Sequence, residues 1–267
     1  SSRPPHSGAD RQRDGLHADA RMRAQREPEV TQALGSVRRA GGIDGRRVEL
    51  IVRDDAQNSE KAISAINELI GARVEAIVGP MTSAMAEVVL PIAEKANVVL
   101  VSPTVTARHF FGRDDILFLI MSSTGEEAAL SADYHFTQSG ARRVAAIHDT
   151  KNRAYTESWL RDFTAEFQGR GGEVVPVAFE SGADVDIAAV TAATLARQPD
   201  AVLLITGALD AARFAQRVRE VDARVLLFAS QWASGERLKP AGISSRSCAS
   251  VCRRANMKTG NIRRWIH

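Results

Sequence analysis

The chain reads as an α/β protein with parallel sheets, and three observations predict it. Short apolar, β-branched runs recur along it, at residues 74–78, 98–101, 144–147 and 201–205 among others. Runs of that length bounded by turn residues fit strands buried on both faces. Longer segments with apolar residues at helical spacing separate them. Strand and helix alternate throughout, which is the pattern of parallel strands joined by helical crossovers.

The stretch from Val78 to Thr106 organises the rest. Strand 74–78 ends in Gly79-Pro80-Met81-Thr82-Ser83, and strand 98–101 ends in Ser102-Pro103-Thr104-Val105-Thr106. Ala86, Val89, Leu90, Ile92 and Ala93 mark the helix between them. Pro91 falls inside that helix and should bend it or leave an early carbonyl unpaired. In a parallel sheet both turns lie at the carboxyl edge, where open α/β sheets bind ligands. Helix N-termini there offer unpaired N–H groups and partial positive charge to an anion. Ser83 and Thr106 add hydroxyls; the alternative reading makes both simple helix caps.

The other elements follow in order. Residues 1–27 are rich in Arg, Asp, Gly and Ser and read as disordered. Pro28-Glu29-Val30 could open a helix carrying Val30, Leu34 and Val37 that stops at Gly41-Gly42. Residues 48–52 (V-E-L-I-V) predict a strand. Residues 59–70 predict a helix capped by Ser59, with Ile63, Ile66, Leu69 and Ile70 on one face. Strands are expected at 117–121, 144–147, 174–179, 201–205 and 225–228. Helices are expected at 124–136, 156–167, 187–196 and 209–221, the last with Phe214 and Val218 inward. A change of register near Ser122-Ser123-Thr124-Gly125 suggests two lobes. From Lys239 onward the periodicity is lost.

Composition narrows the function. The 267 residues are 44% hydrophobic and 25% charged, a globular balance. The sequence pI of 9.1 suggests nucleic-acid binding, but the excess lies at the ends. Residues 48–237 carry about 18 Lys/Arg against about 26 Asp/Glu, so the body is acidic and no nucleic-acid partner is expected. No membrane-length apolar run and no signal peptide are visible. Cys248 and Cys252 are spaced C-x-x-x-C with only His267 near, too few ligands for a metal site. No cofactor is expected either. Neither G-x-S-x-G nor G-x-x-x-x-G-K-[ST] occurs, and Gly79 and Gly207 lack the companions of a dinucleotide fingerprint. His148-Asp149 at a strand end could do acid–base chemistry; the plainer reading is a polar turn at a cleft rim. An α/β enzyme with a nucleotide cofactor therefore finds little support.

Four segments carry a resemblance: G-G-I-D-G-R-R-V-E-L-I-V-R-D-D-A-Q-N (41–58), I-V-G-P-M-T-S (77–83), V-S-P-T-V-T (101–106) and A-Y-T-E-S-W (154–159). In this order and spacing the chain resembles the type I periplasmic binding proteins, in the leucine/isoleucine/valine-binding branch that serves ABC importers. The resemblance covers roughly 30–238. It implies two Rossmann-like lobes with parallel sheets and a hinge, lobe 1 at 30–121 and lobe 2 at 122–238. Residues 1–29 and 239–267 would be segments outside the family pattern. It also implies a periplasmic location, permease subunits of an ABC transporter as partners, and no enzymatic activity. The ligand would be a small amino acid, organic acid or amide held between the lobes. A sensory receptor domain of the same fold, or an inactive fragment of a binding protein, are the alternatives.

The resemblance carries site residues with it. Ser83 and the turn Thr104–Thr106 would hold a ligand carboxylate and its neighbouring amine, and Tyr155 would be an aromatic wall. Two departures stand out. Ala208 and Leu209 follow Gly207 where amino-acid binders often carry aromatics, and Gln231 stands where they carry an acidic residue. A neutral Gln231 leaves a buried ammonium uncompensated, which argues for a ligand without an amine. The family's first strand, central in the first lobe's sheet, has no counterpart in residues 1–39. The first lobe is therefore expected to be poorly ordered and ligand binding weak.

Overall fold

The computed structural model describes residues 32–233. Expectations for residues 1–31, including Pro28 and Val30, and for the tail with Cys248, Cys252 and His267, lie outside the described residues. The described residues fall into two compact units. One holds residues 32–53 with Gly182–Asp184, and the other holds residues 54–181 and 185–233.

In the first unit, residues 32–39 are helical (α1). Gly41 and Gly42, both at positive φ, end the helix as expected. A two-residue bridge joins Ile43 to Arg46. The predicted strand at 48–52 does not form: these residues are irregular, and Val52 is 70% exposed. Their apolar, β-branched run fits a strand, but a strand exists only as part of a ladder, and among the described residues none pairs with them.

The second unit holds two parallel sheets. The first has the order β1-β2-β3, from Ala76–Val78, Val99–Ser102 and Leu117–Leu119. Its helices are α2 (Ser59–Gly71) and α3 (Ser83–Ala96). The cap of α2 is Asn58, whose Oδ1 accepts the Lys61 N–H at 3.0 Å, rather than Ser59. Its buried stripe is Ala62 and Ile66 with Ile70 beside them, and Ile63 is exposed. Ile66 and Ile70 face inward as expected, and Ala62 takes the buried place expected of Ile63 where α2 packs on α3. α3 runs unbroken through Pro91, which lies on its exposed side, and stops at Asn97 in the left-handed region.

The second sheet has the order β5-β4-β6-β7, from Glu173–Phe179, Arg143–Asp149, Ala201–Ile205 and Leu226–Ala229. The helices are α4 (Thr124–Thr137), α5 (Arg153–Gly169), α6 (Ile187–Leu195) and α7 (Ala208–Val221). β6 is fully buried, as its unbroken A-V-L-L-I predicts. Alternate residues divide two cores. Val144, Ala146, Leu203 and Ile205 pack with Trp159, Phe163 and Phe167 of α5. Ile147, Val202 and Leu204 pack with Phe214 and Val218 of α7.

Candidate ligand-binding site

Gly79 opens the turn after β1 at φ 144°, a conformation that side-chain-bearing residues rarely adopt. The two turns predicted to form a site are laced together. The Ser102 hydroxyl donates to the Pro80 carbonyl at 2.7 Å, and the Thr104 hydroxyl to the Met81 carbonyl at 2.7 Å. Ser83 Oγ accepts the N–H groups of Thr106 at 3.4 Å and Ala107 at 3.3 Å. Ser83, Thr104 and Thr106 thus come together at one sheet edge. Ser83 is not the cap of α3: that is Thr82, whose hydroxyl accepts the Met85 N–H. Thr106 caps nothing with its side chain, and its carbonyl accepts the Thr124 N–H at 2.8 Å.

The α3 N-terminus differs from expectation. The Ala84 N–H donates to Asn152 Oδ1 at 3.1 Å, and Met85 is taken by Thr82. Two of the amides expected to face an anion are therefore filled, one of them by the residue preceding α5. Further bonds tie the two sheets' elements together: the Arg108 N–H donates to Ser158 Oγ at 3.2 Å, and the Ser158 and Thr124 hydroxyls lie 2.9 Å apart.

Tyr155 is buried at the start of α5 and meets Trp232 edge-on, ring centroids 5.5 Å apart. Gln231 begins a short 3-10 turn, Gln231–Ala233, after β7. Its N–H donates to Glu127 Oε1 at 2.8 Å. The side chain at position 231 is neutral, but a carboxylate stands beside its backbone. That carboxylate is brought from the first turn of α4, 104 residues away in sequence. Sequence reasoning missed it because only tertiary packing joins α4 to the end of β7.

His148 and Asp149 are buried rather than at an exposed rim. Asp149 Oδ1 accepts the N–H groups of Lys151 and Ser181, each at 3.0 Å, and its carbonyl accepts the Thr156 hydroxyl at 2.7 Å. The carboxylate is therefore committed to holding two turns. In the first turn of α7, burial raises the Asp210 carboxyl above the ordinary carboxylate range. Arg213 opposes that shift and the Asp149 charge adds to it.

The sequence pattern of the family described as periplasmic binding protein matches residues 30–245. The chain belongs to that family. It is similar to a Leu/Ile/Val-binding protein of Rhizobium johnstonii, with 30% identity over 174 residues, 64% of this chain and 46% of that one. It is also similar to a Leu/Ile/Val-binding protein homologue of Brucella melitensis, with 31% identity over 118 residues, 44% of this chain and 32% of the other. Among solved structures, a leucine-binding protein of Thermotoga maritima superposes with a TM-score of 0.71 at 25% identity, covering 79% of this chain and 60% of its own. The chain thus spans about a third to a half of these curated relatives. The resemblance read from the four sequence motifs and this membership agree, as do the parallel α/β sheets.

Proposed function

We propose that this chain is the ligand-binding part of a solute receptor for an ABC importer. It would take a small amino-acid-like ligand at the carboxyl edges of its two sheets and act beyond the cytoplasmic membrane. The observation that carries this is the meeting of Ser83, Thr104 and Thr106 in one laced turn, with Asn152, next to Tyr155, bonded to the same helix end. Asn152 Oδ1 on the Ala84 N–H marks where a ligand carboxylate would compete for α3's amides. Tyr155 and Trp232 supply an aromatic wall, and Glu127 beside Gln231 supplies a carboxylate suited to an ammonium. The names of the relatives, which bind leucine, isoleucine and valine, support an amino-acid-like ligand. No described helix is long and apolar enough to cross a membrane; the permease subunits of an ABC transporter would be its partners.

The test is calorimetry with leucine and glutamine as probes on the Ser83→Ala, Thr106→Ala double variant. Two hydrogen bonds to a charged group are worth about 1.5–3 kcal/mol each, so affinity should fall by about a hundredfold or more. Circular dichroism on the same samples separates lost binding from lost folding. Unchanged affinity in a folded double variant removes these residues from the site.

A further inference from the structure

The two sheets of the second unit have separate cores. Leu100 and Leu117 of the first sheet pack in one apolar cluster with α3. The clusters on the two faces of the second sheet share no residue with it among the described residues. Polar bonds cross between them instead. The Ala84 N–H meets Asn152 Oδ1, the Thr124 N–H meets the Thr106 carbonyl, and the Arg108 N–H meets Ser158 Oγ. Ala84 is on α3, and Thr106 and Arg108 follow β2. Asn152 directly precedes α5, and Ser158 is within it. Thr124 opens α4, whose Ala128 and Ala132 pack in the second sheet's core.

The Arg108 guanidinium also reaches Asp162 at 3.5 Å, but it is exposed and such a pair contributes little. Thr106, Thr124, Asn152 and Ser158 are all buried. Ser158 Oγ accepts the Arg108 N–H and Arg161 Nη2, each at 3.2 Å. Both its lone pairs are then used, so its own proton goes to Thr124 Oγ1 at 2.9 Å. Asn152 is the unusual member. It is the N-cap of α5, where an Asn side chain ordinarily accepts an N–H of its own helix. Here it makes no such bond. Its Oδ1 is turned to α3, beside the amide that Thr82 already fills. α5 thus goes without a side-chain cap, and α3 is capped from the other sheet.

We propose that Asn152 is a clasp, which holds the two sheets in one arrangement through the protein's own groups, so that losing its side chain lets the sheets move apart while each stays folded. The clasp needs no ligand, so its test stands apart from the proposed function.

Distance measurement between two spin labels on the full chain tests it, with no ligand added. The labels go on Lys95→Cys in α3 and Gln168→Cys in α5, both exposed positions, with Cys248→Ser and Cys252→Ser in the background. This parent should give one narrow distance. Asn152→Ala should raise the population at other distances about fivefold, the effect of losing one hydrogen bond of ordinary strength. Asn152→Asp keeps the acceptor and should keep the narrow distance. Amide exchange adds a reading that a purely local bond would not move. The Thr124 N–H, which Asn152 does not touch, should exchange severalfold faster in Asn152→Ala. The amides of Phe163 and Phe167 in α5 should be unchanged, since no cap of that helix is lost. A broad distribution in the parent overturns the inference, as does a distribution in Asn152→Ala as narrow as the parent's. Unfolding of Asn152→Ala, read by circular dichroism, overturns it as well, because the clasp predicts that each sheet keeps its fold.

Discussion

Amide hydrogens of β1, β2 and β3 are expected to exchange at least about a hundredfold faster than those of β4 and β6. Local opening energies run from near zero to the global stability, and each 1.4 kcal/mol is a factor of ten. The first sheet has three short strands, and β1 has a neighbour on one side only among the described residues. Its inner face, with Leu100 and Leu117, packs on α2 and α3. Its other face carries Val78, Phe118 and Ile120, which are 70%, 59% and 68% exposed. An open strand edge beside an uncovered apolar face invites pairing with another chain. In the second sheet β4 lies between β5 and β6, and residues 144–147 are fully buried. Sedimentation should accordingly show concentration-dependent association that Phe118→Lys with Ile120→Lys suppresses. Protection across 76–78 equal to that across 144–147, in a chain that stays monomeric, would show that this sheet is stable as it stands. The same looseness would bear on binding if the proposed site is correct, because Ser83, Thr104 and Thr106 hang on this sheet, and affinities in the weak range are then expected.

Lowering the pH from 7 to 5 should cost about 2 kcal/mol of stability through His135 alone. His135 is buried on α4, stacked on Phe228 with ring centroids 3.4 Å apart, and its Nδ1 meets Ser139 Oγ at 3.1 Å. Tyr134 meets it edge-on at 5.3 Å, and no ion pair involves it among the described residues. Burial pushes its pKa down from 6.5 to about 3. The unfolded chain therefore takes up a proton below about pH 6.5 that the folded protein refuses. The stability is fully present above 6.5 and is lost progressively as pH falls toward 3. Urea unfolding at several pH values, compared between the native chain and His135→Phe, isolates this group from the carboxylates. The variant should lose about 1.4 kcal/mol less per pH unit between 6 and 4. Parallel pH dependences, or a His135 ring resonance that titrates near 6.5, would show that the histidine is accessible to protons in the folded state.

Much of this protein is legible in its sequence, and the reason is that the signals are local. Apolar runs such as 201–205 and helical spacings such as Phe214 to Val218 depend only on neighbours a few residues away. So does the turn chemistry of Gly79-Pro80. These determined the parallel α/β class, the order of elements and the family. Tertiary structure decided the rest. Residues 48–52 have a strand's apolar, β-branched composition, yet strand formation needs a partner ladder, and their pattern cannot say whether one is present. Ile63 and Ala62 fit two faces of one helix, and only the packing of α2 on α3 chose between them. Glu127 reached Gln231, and Asn152 reached the end of α3, across separations that no spacing rule encodes. A hydrogen bond between distant residues is fixed by where the packed elements place two atoms to within an ångström.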